Sequence, residues 1–202
     1  WLKQVYGKRK KLVNICDLIS SRFVFQCKFR VESQTYEAFC RWTPRGFEEV
    51  ANVHFDPEHI FAGTPQLAVL RVIACKALYD LQPTFHFDFK RAFMNTPLDR
   101  TLYVKMPKGF VHCDNDSDEC VLELTKSAEG LKQSGANWLD MLTLFLCEYG
   151  FRQSVTEPKL FTKKLKNKKV CHILLYIDDI YGTCDESSFI ETFCADLNTK
   201  FG

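Results

Sequence analysis

The chain has 202 residues, of which 46% are hydrophobic and 18 are Phe, so it can bury a substantial core. This composition excludes a disordered chain, and without a run of 18 apolar residues no membrane-spanning helix is predicted. The net charge is only +2, but residues 1–47 hold ten Lys or Arg and three acids. We therefore expect one basic region that meets a polyanion, with an unevenly charged, solvated surface as the alternative.

Ten cysteines are scattered along the chain, and no two of them have the C-x-x-C spacing of a zinc site. Their density is below that of a disulfide scaffold, so we expect free thiols in a reducing, intracellular compartment. The chain opens with WLKQVYGKRKKL, which has neither an initiator Met nor an apolar signal core. We therefore interpret it as a fragment, or as a segment of a longer protein.

The first half of the chain predicts a basic β-hairpin followed by a helix. The run RFVFQCKFRV at 22–31 is rich in β-branched and aromatic residues, and after the turn ESQT a second strand is expected around Tyr36. A helix is predicted from Thr64 as N-cap, with Pro65 at its first position. The predicted apolar stripe of this helix consists of Leu67, Leu70, Ala74 and Leu78.

The middle of the chain predicts two strands and a second helix. In TFHFDFKRAF, residues 84–93, Phe side chains alternate with polar ones, which is typical of a strand with one buried face. The run LYVKMPKGF at 102–110 begins as a strand and ends in a Pro/Gly turn. A helix is predicted from about Gly135 to Tyr149, with Trp138 in the core and Gly150 ending it.

The last part of the chain predicts a hairpin and a final helix. KLFTKKL and VCHILLYI are typical of strands, and KNKK between them of a solvated turn. The helix is predicted to start near Asp185 as N-cap, with Phe189, Phe193 and Leu197 at four-residue spacing. Strands and helices are interleaved and several strands form hairpins, so the predicted fold class is α+β.

Two adjacent aspartates, Asp178 and Asp179, interrupt the apolar run HILLYIDDIYGTC, where carboxylates are costly without a compensating charge. Alternation at a hairpin tip predicts Asp178 on the face of Tyr176, with Asp179 turned away. Asp88 lies on one face of another strand, and if the strands are neighbours, three carboxylates converge at one sheet edge. Such a cluster predicts Mg²⁺ and phosphoryl transfer by two ions. Alternatively, the pair only forms a turn and Asp88 is a solvated strand residue.

Five collinear segments form a larger pattern. They are RWTPRGF at 41–47, DFKRAF at 88–93, LYVKMPKGF at 102–110, GLKQSGANW at 130–138 and YIDD at 176–179. In this order and spacing they resemble the reverse transcriptase domain of copia-type retrotransposons, roughly from Arg22 to Gly202. The resemblance implies an RNA-directed DNA polymerase that adds deoxynucleotides to a primer 3′ end on an RNA or DNA template.

The resemblance also implies which residues carry the chemistry. Asp88, Asp178 and Asp179 correspond to the catalytic carboxylates of the family. Together with the backbone carbonyl of Phe89 they are implied to hold two Mg²⁺ ions, for which Mn²⁺ is an alternative.

Further residues are implied to bind the substrates. Arg41 and Arg45 correspond to residues that grip the nucleotide triphosphate, and guanidinium groups suit that task. Phe93 corresponds to a residue that excludes the ribose 2′-hydroxyl, and Gln133 to a nucleotide contact. As alternatives, Phe93 belongs to the core and Gln133 caps a helix. Two residues are implied to contact nucleic acid, Tyr176 and Lys132.

The fold implied by the resemblance is a right-hand polymerase with an antiparallel palm sheet packed on helices. Residues 1–83 would form mainly the fingers and residues 84–202 mainly the palm of a single domain, without thumb or RNase H domain. The family implies no membrane association and a cytoplasmic location, with the nucleus as the alternative. The sequence leaves the oligomeric state open.

Several positions depart from the family pattern and leave other functions open. Glu129 stands where the family has Tyr, and Glu49 stands where it has Gln. Gln66 stands where the family has Arg, and Thr96 where it has Gly. An inactive retrotransposon remnant is therefore one alternative. A non-catalytic nucleic-acid-binding sheet domain is another, since KGFVHC at 108–113 begins like an RNA-recognition signature. Val111 and His112, however, stand where that signature needs a small residue and an aromatic one.

Overall fold

The computed structural model describes residues 2–4, 18–105, 107 and 121–201. In chain order the elements are β1 (Leu2–Gln4), β2 (Leu18–Ile19), β3 (Ser21–Arg30), β4 (Thr35–Pro44), α1 (Leu67–Tyr79), β5 (Thr84–Asp88), β6 (Pro97–Lys105), β7 (Val121–Lys126), α2 (Ser134–Glu148), β8 (Arg152–Gln153), β9 (Leu160–Lys164), β10 (Val170–Tyr176), β11 (Asp179–Cys184) and α3 (Ser187–Phe201). Short 3₁₀ turns lie at Gly46–Glu48, Ala92–Asn95 and Lys166–Lys168. This mixture of helices and mainly antiparallel sheets confirms the α+β class.

The chain divides into two compact units, each built from two separate stretches. Unit 1 consists of Trp1–Ile60 and Thr96–Ser134, and unit 2 of Phe61–Asn95 and Gly135–Gly202. The chain therefore passes between the units three times. The assignment of fingers and palm within this arrangement stays a prediction.

Unit 1 contains a four-stranded sheet in the order β1-β7-β6-β2 and a separate ribbon of β3 and β4. In the sheet only β2 and β6 run parallel. The ribbon pairs without interruption from Ser21 opposite Pro44 to Arg30 opposite Thr35, which confirms the predicted basic hairpin. Directly opposite residues share a face, so the ribbon has one aromatic face and one mainly polar and basic face. The polar face includes Arg22, Lys28, Arg30 and Arg41.

Unit 2 is built on an antiparallel sheet in the order β5-β11-β10-β9-β8. Helices α2 and α3 pack on one face of this sheet and form the core with it. Trp138 is fully buried, as predicted, together with Leu142 and Leu146 of α2, and Gly150 follows the helix with φ +95°. On the opposite face, polar side chains of β5 and β11 reach solvent.

Helix α1 differs from its prediction in both its start and its buried face. It begins at Leu67, with Gln66 rather than Thr64 at the N-cap position. Its buried residues are Ile73 and Ala77, whereas Leu67 and Leu78 of the predicted stripe are 59% and 76% exposed, respectively. The apolar residues of α1 outnumber the positions that unit 2 covers, and periodicity alone does not identify which line along the helix is buried.

Two other predicted features have a different outcome. Helix α3 begins at Ser187, and the carboxylate of Asp185, the predicted N-cap, instead accepts hydrogen bonds from Val170 N–H (2.8 Å) and Gln82 Nε2 (2.5 Å). Asp185 therefore joins strand β10 to the segment before β5. The Pro/Gly turn predicted after β6 and the KGFVHC segment lie outside the described residues, except Pro107.

The composition of the chain also led to expectations about its thiols and about membrane-spanning helices. The seven described cysteines are all free thiols. They are Cys27, Cys40, Cys75, Cys147, Cys171, Cys184 and Cys194. Among the helices in the described part of the chain, none has the length and hydropathy needed to cross a bilayer.

Gly182 makes room for an aromatic ring in the unit 2 sheet. It lies on β11 opposite Phe85 of β5, and a Cβ at this position would overlap the ring of Phe85. We expect Gly182→Ala to lower the free energy of unfolding by about 1–3 kcal/mol, the usual cost of overpacking, as measured by chemical denaturation. In a Phe85→Leu background the cost should shrink, because the ring is gone. An equal cost in both backgrounds would contradict this packing.

Candidate functional site

The YIDD segment forms a tight hairpin loop at the end of β10 and β11. Tyr176 pairs with Asp179, so only Ile177 and Asp178 form the loop. Ile177 has φ +53°, in the left-handed region that a β-branched residue rarely adopts. A positive φ at the first of two loop residues is the pattern of a type II′ turn, where Gly is usual. The loop is therefore strained and depends on contacts from outside it.

Two hydrogen bonds hold the loop from neighbouring elements of unit 2. The indole Nε1–H of Trp138 donates to the carbonyl of Ile177 (2.8 Å), and the backbone N–H of Phe89 donates to the carbonyl of Asp178 (3.0 Å). Trp138 is fully buried, and its ring meets that of Phe89 edge-on at 4.9 Å between centroids. The predicted core role of Trp138 is thus confirmed, while its bond to the loop was missed, since no residue pattern signals it.

Strand register places the aspartates next to one another in the backbone. Asp179 lies directly opposite Asp88 in the β11–β5 pairing, and Asp178 is its neighbour in the loop. Asp179 also lies opposite Tyr176, so it shares that residue's face, contrary to the prediction that it turns away. The prediction carried strand alternation through the loop, whereas a two-residue loop brings its flanking residues onto the same face.

A histidine that the sequence reasoning did not select contacts this group. His86 lies on the same face of β5 as Asp88, and its Nε2 is 3.2 Å from Oδ1 of Asp179. Alternation along β5 already predicted that His86 and Asp88 face the same way. Only the pairing of β5 with β11 could show that Asp179 lies beside them.

The side chains do not complete a metal site in this conformation. Among the described residues, no three His, Cys, Asp or Glu side chains form a group able to hold an ion, and the predicted convergence of three carboxylates on a metal stays a prediction. The backbone nevertheless places Asp88, Asp178 and Asp179 at adjacent positions, and carboxylate oxygens are the ligands that Mg²⁺ prefers. These residues therefore fit the ion in chemistry and backbone position, and grouping them requires side-chain rotation.

Two other predicted site residues lie in unit 2. Phe93 is half-buried and packs against the hydrophobic core, in agreement with its alternative as a core residue. Tyr176 is exposed immediately before the loop. Neither placement tests a contact with nucleotide or nucleic acid.

Unit 1 contains a basic pocket of about 270 Å³ at the base of the ribbon. Three arginines line it, including both predicted triphosphate ligands, Arg41 and Arg45. The lining residues are Arg22, Val24, Gln26, Arg41, Thr43, Pro44, Arg45, Gly46, Phe47 and Gly130. Arg22 was not selected from the sequence, although strand pairing puts it on the same face as Arg41. The pocket therefore suits a small anion.

Two acids contact the pocket arginines. Glu129 Oε2 lies 2.5 Å from Arg41 Nη1, and Glu48 Oε1 lies 3.7 Å from Arg45 Nη1. The Glu48 carboxylate is also held by Ser20, whose N–H and Oγ donate to it at 2.7 and 2.6 Å. Glu48 is thus held by neutral donors as well as by Arg45, whereas Glu129 pairs with Arg41.

The predicted substrate residues Gln133 and Lys132 are engaged inside unit 1. Gln133 is only 2% exposed, and its Nε2 donates to the carbonyl of His54 at 3.4 Å. The Lys132 backbone N–H donates to Glu49 Oε2 (2.8 Å), and its Nζ lies 4.6 Å from the ring centre of Phe55. Within the described residues, Gln133 Oε1 and Glu49 Oε1 are buried without a hydrogen-bond partner.

Neighbouring glutamates have pKa values shifted in opposite directions. Burial raises the pKa of Glu49, and the bond from Lys132 N–H and the nearby Gln133 side chain only partly oppose it. Burial acts in the same direction on Glu48, but the hydrogen bonds from Ser20 and the charges of Arg45 and Lys105 outweigh it, so the pKa of Glu48 is lowered.

Comparison with known proteins gives matches along most of the chain. Residues 11–202 match the family described as Reverse transcriptase (RNA-dependent DNA polymerase). Over 184 residues, or 91% of this chain, it is 24% identical to the retrovirus-related Pol polyprotein from transposon RE1 of Arabidopsis thaliana, and covers 12% of that protein. The same identity and share of this chain hold for the retrovirus-related Pol polyprotein from transposon TNT 1-94 of Nicotiana tabacum, of which 14% is covered. The chain thus spans a small part of these relatives.

Trp138→Phe tests whether the indole N–H holds the strained loop. We expect faster amide hydrogen exchange at residues 176–180 and a loss of about 1–3 kcal/mol in unfolding free energy, because a carbonyl loses its donor. Trp42→Phe is the control, since Trp42 Nε1 donates to Ser21 Oγ (3.0 Å) in unit 1. Unchanged exchange at the loop in Trp138→Phe, or an equal increase in both variants, would contradict this role.

Glu49→Gln tests the raised pKa. A folded-state pKa above the ordinary 4.5 means that the stability from this group is present at acidic pH and lost as pH rises through the raised value. We therefore expect Glu49→Gln to be more stable than the native chain at neutral pH, with the difference shrinking on acidification, in thermal unfolding followed across pH.

Glu48→Gln is the matched control for this experiment, because the lowered pKa of Glu48 reverses the sign. Its carboxylate stabilises the fold above the unfolded-state pKa, so this variant should be less stable than the native chain at neutral pH and approach it on acidification. The same pH dependence in both variants would refute the assigned shifts.

Proposed function

The chain belongs to the reverse transcriptase (RNA-dependent DNA polymerase) family, as its resemblance to copia-type retrotransposons predicted, and we propose that it catalyses template-directed addition of deoxynucleotides to a primer 3′ end. The observation that carries the proposal is the register of Asp179 opposite Asp88, beside a strained loop that presents Asp178. Such strain persists only where surrounding contacts maintain it, and it is concentrated at functional sites.

The proposed catalytic group consists of Asp88, Asp178 and Asp179. Asp88 and Asp178, with the backbone carbonyl of Phe89, would hold two Mg²⁺ ions, and Asp179 would supply the third carboxylate; Mn²⁺ is an alternative ion. When bound, the ions supply activation of the primer 3′-hydroxyl and neutralise charge on the leaving pyrophosphate. Nε2 of His86 lies 3.2 Å from Oδ1 of Asp179 and would contribute to positioning this carboxylate.

The resemblance to the family supports further residues as proposed substrate contacts. In unit 1, the guanidinium groups of Arg41 and Arg45 would bind the triphosphate, since they line a pocket with a third arginine. In unit 2, the ring of Phe93 would exclude a ribose 2′-hydroxyl by steric clash. Three further residues complete the proposal, with Gln133 near the nucleotide and Tyr176 and Lys132 near the template and primer.

An inactive remnant that still binds nucleic acid is the second candidate. Two acids at positions where the family has neutral residues favour it, since Glu129 pairs with Arg41 and Glu49 is buried beside Lys132. The third alternative, an RNA-recognition sheet, depended on KGFVHC, which lies outside the described residues.

Primer extension with an RNA template, a DNA primer and Mg²⁺ tests the proposal. We expect Asp178→Asn and Asp88→Asn to reduce extension by about 100-fold or more, the scale for losing a group that stabilises developing charge. Asp99→Asn is the control, because Asp99 is an exposed residue of unit 1 that pairs with Arg100. Extension at the native rate by Asp178→Asn would refute the metal mechanism. A native chain that binds template and primer but never extends would support the remnant.

A further inference from the structure

An internal carboxylate already occupies one arginine of the basic pocket. Glu129 Oε2 is 2.5 Å from Arg41 Nη1, and the two side chains are 33% and 55% exposed. The next residue, Gly130, lines the pocket itself, so Glu129 stands at its rim. A phosphate entering the pocket and the Glu129 carboxylate would therefore need the same guanidinium donors.

Close backbone packing fixes Glu129 in this place. Gly130 has φ +104°, and a Cβ there would lie 2.5 Å from the carbonyl oxygen of Pro44 at the end of β4. Gly46, just beyond β4, lies so close that its own Cβ would overlap the carbonyl oxygen of Gly130. The loop that carries Glu129 thus packs backbone against backbone on the segment that carries Arg41 and Arg45, so the backbone of residue 129 is held beside the pocket.

The ion pair is a weak one that a polyphosphate can displace. Half-exposed pairs between Arg and Glu are screened by water and stabilise little. A triphosphate offers several negatively charged oxygens to the pocket arginines, whereas Glu129 offers one carboxylate. Displacement nevertheless costs the energy of the pair and leaves a negative charge beside the bound anion.

We propose that Glu129 is an internal competitor that pairs with Arg41 and thereby weakens polyphosphate binding in this pocket. This inference rests on the proposed function in one respect, namely that Arg41 and Arg45 bind the triphosphate of the nucleotide. It adds that an acid at position 129, where the reverse transcriptase family has Tyr, lowers the affinity of this chain for polyphosphate. The pocket therefore exchanges one anionic partner for another.

Calorimetric titration of the full chain with inorganic tripolyphosphate, without divalent metal, tests the competition apart from catalysis. We expect Glu129→Gln and Glu129→Tyr to bind tripolyphosphate about two- to five-fold more tightly than the native chain, the scale of a half-exposed ion pair. Glu37→Gln is the matched control, because it removes the same charge from an Arg–Glu pair (Arg30, 2.7 Å) on the same ribbon outside the pocket lining. Its affinity should remain close to native.

The outcomes separate this inference from the proposed function. In one outcome, Arg41→Ala weakens tripolyphosphate binding but neither Glu129 variant binds more tightly than Glu37→Gln. The pocket then binds polyphosphate as proposed, and the competition by Glu129 is refuted. If Arg41→Ala binds like the native chain, or no variant binds, the pocket assignment fails and the competitor with it. Thermal unfolding of each variant checks that it is folded, and the two Glu129 variants provide independent readings.

Discussion

The hydrogen bond from the Trp138 indole to the Ile177 carbonyl is the interaction on which the candidate site depends. It holds a two-residue loop in which an isoleucine adopts a backbone conformation suited to glycine. A buried aromatic contact with Phe89 fixes the indole, and Phe89 in turn donates its N–H to Asp178. Two hydrogen bonds, from the Trp138 indole and from the Phe89 N–H, therefore link the core of unit 2 to the loop that carries the carboxylates.

In unit 1, close backbone packing rather than a strained loop determines where the charged side chains lie. Gly46 and Gly130 let two segments approach closely, and this contact brings an acid to the rim of a pocket lined by arginines. The buried carboxylate of Glu49 accepts the backbone N–H of Lys132, two residues after Gly130. Glu129 and Glu48 contact the pocket arginines directly, so the positive charge of the pocket does not by itself measure its affinity for anions.

Local patterns in the sequence predicted the elements that depend on local chemistry. The ribbon, the strand around Asp88 and the second helix follow from alternation, from helical periodicity and from Gly150. Features that depend on pairing between distant strands could not be predicted in this way. The shared face of Asp179 and Asp88, the contact with His86 and the tying of Asp185 to Val170 all require the register of β5, β10 and β11. The side-chain grouping of the carboxylates around a metal stays a prediction, because strand register positions backbones and leaves rotamers open.

Anomalous scattering from Mn²⁺, in crystals of the chain grown with the ion, would show whether the aspartates hold a metal. We expect a peak bonded to the carboxylates of Asp88 and Asp178, with the loop backbone unchanged and only side chains rotated. Ions bound elsewhere, or no bound ion at concentrations that support primer extension, would contradict it.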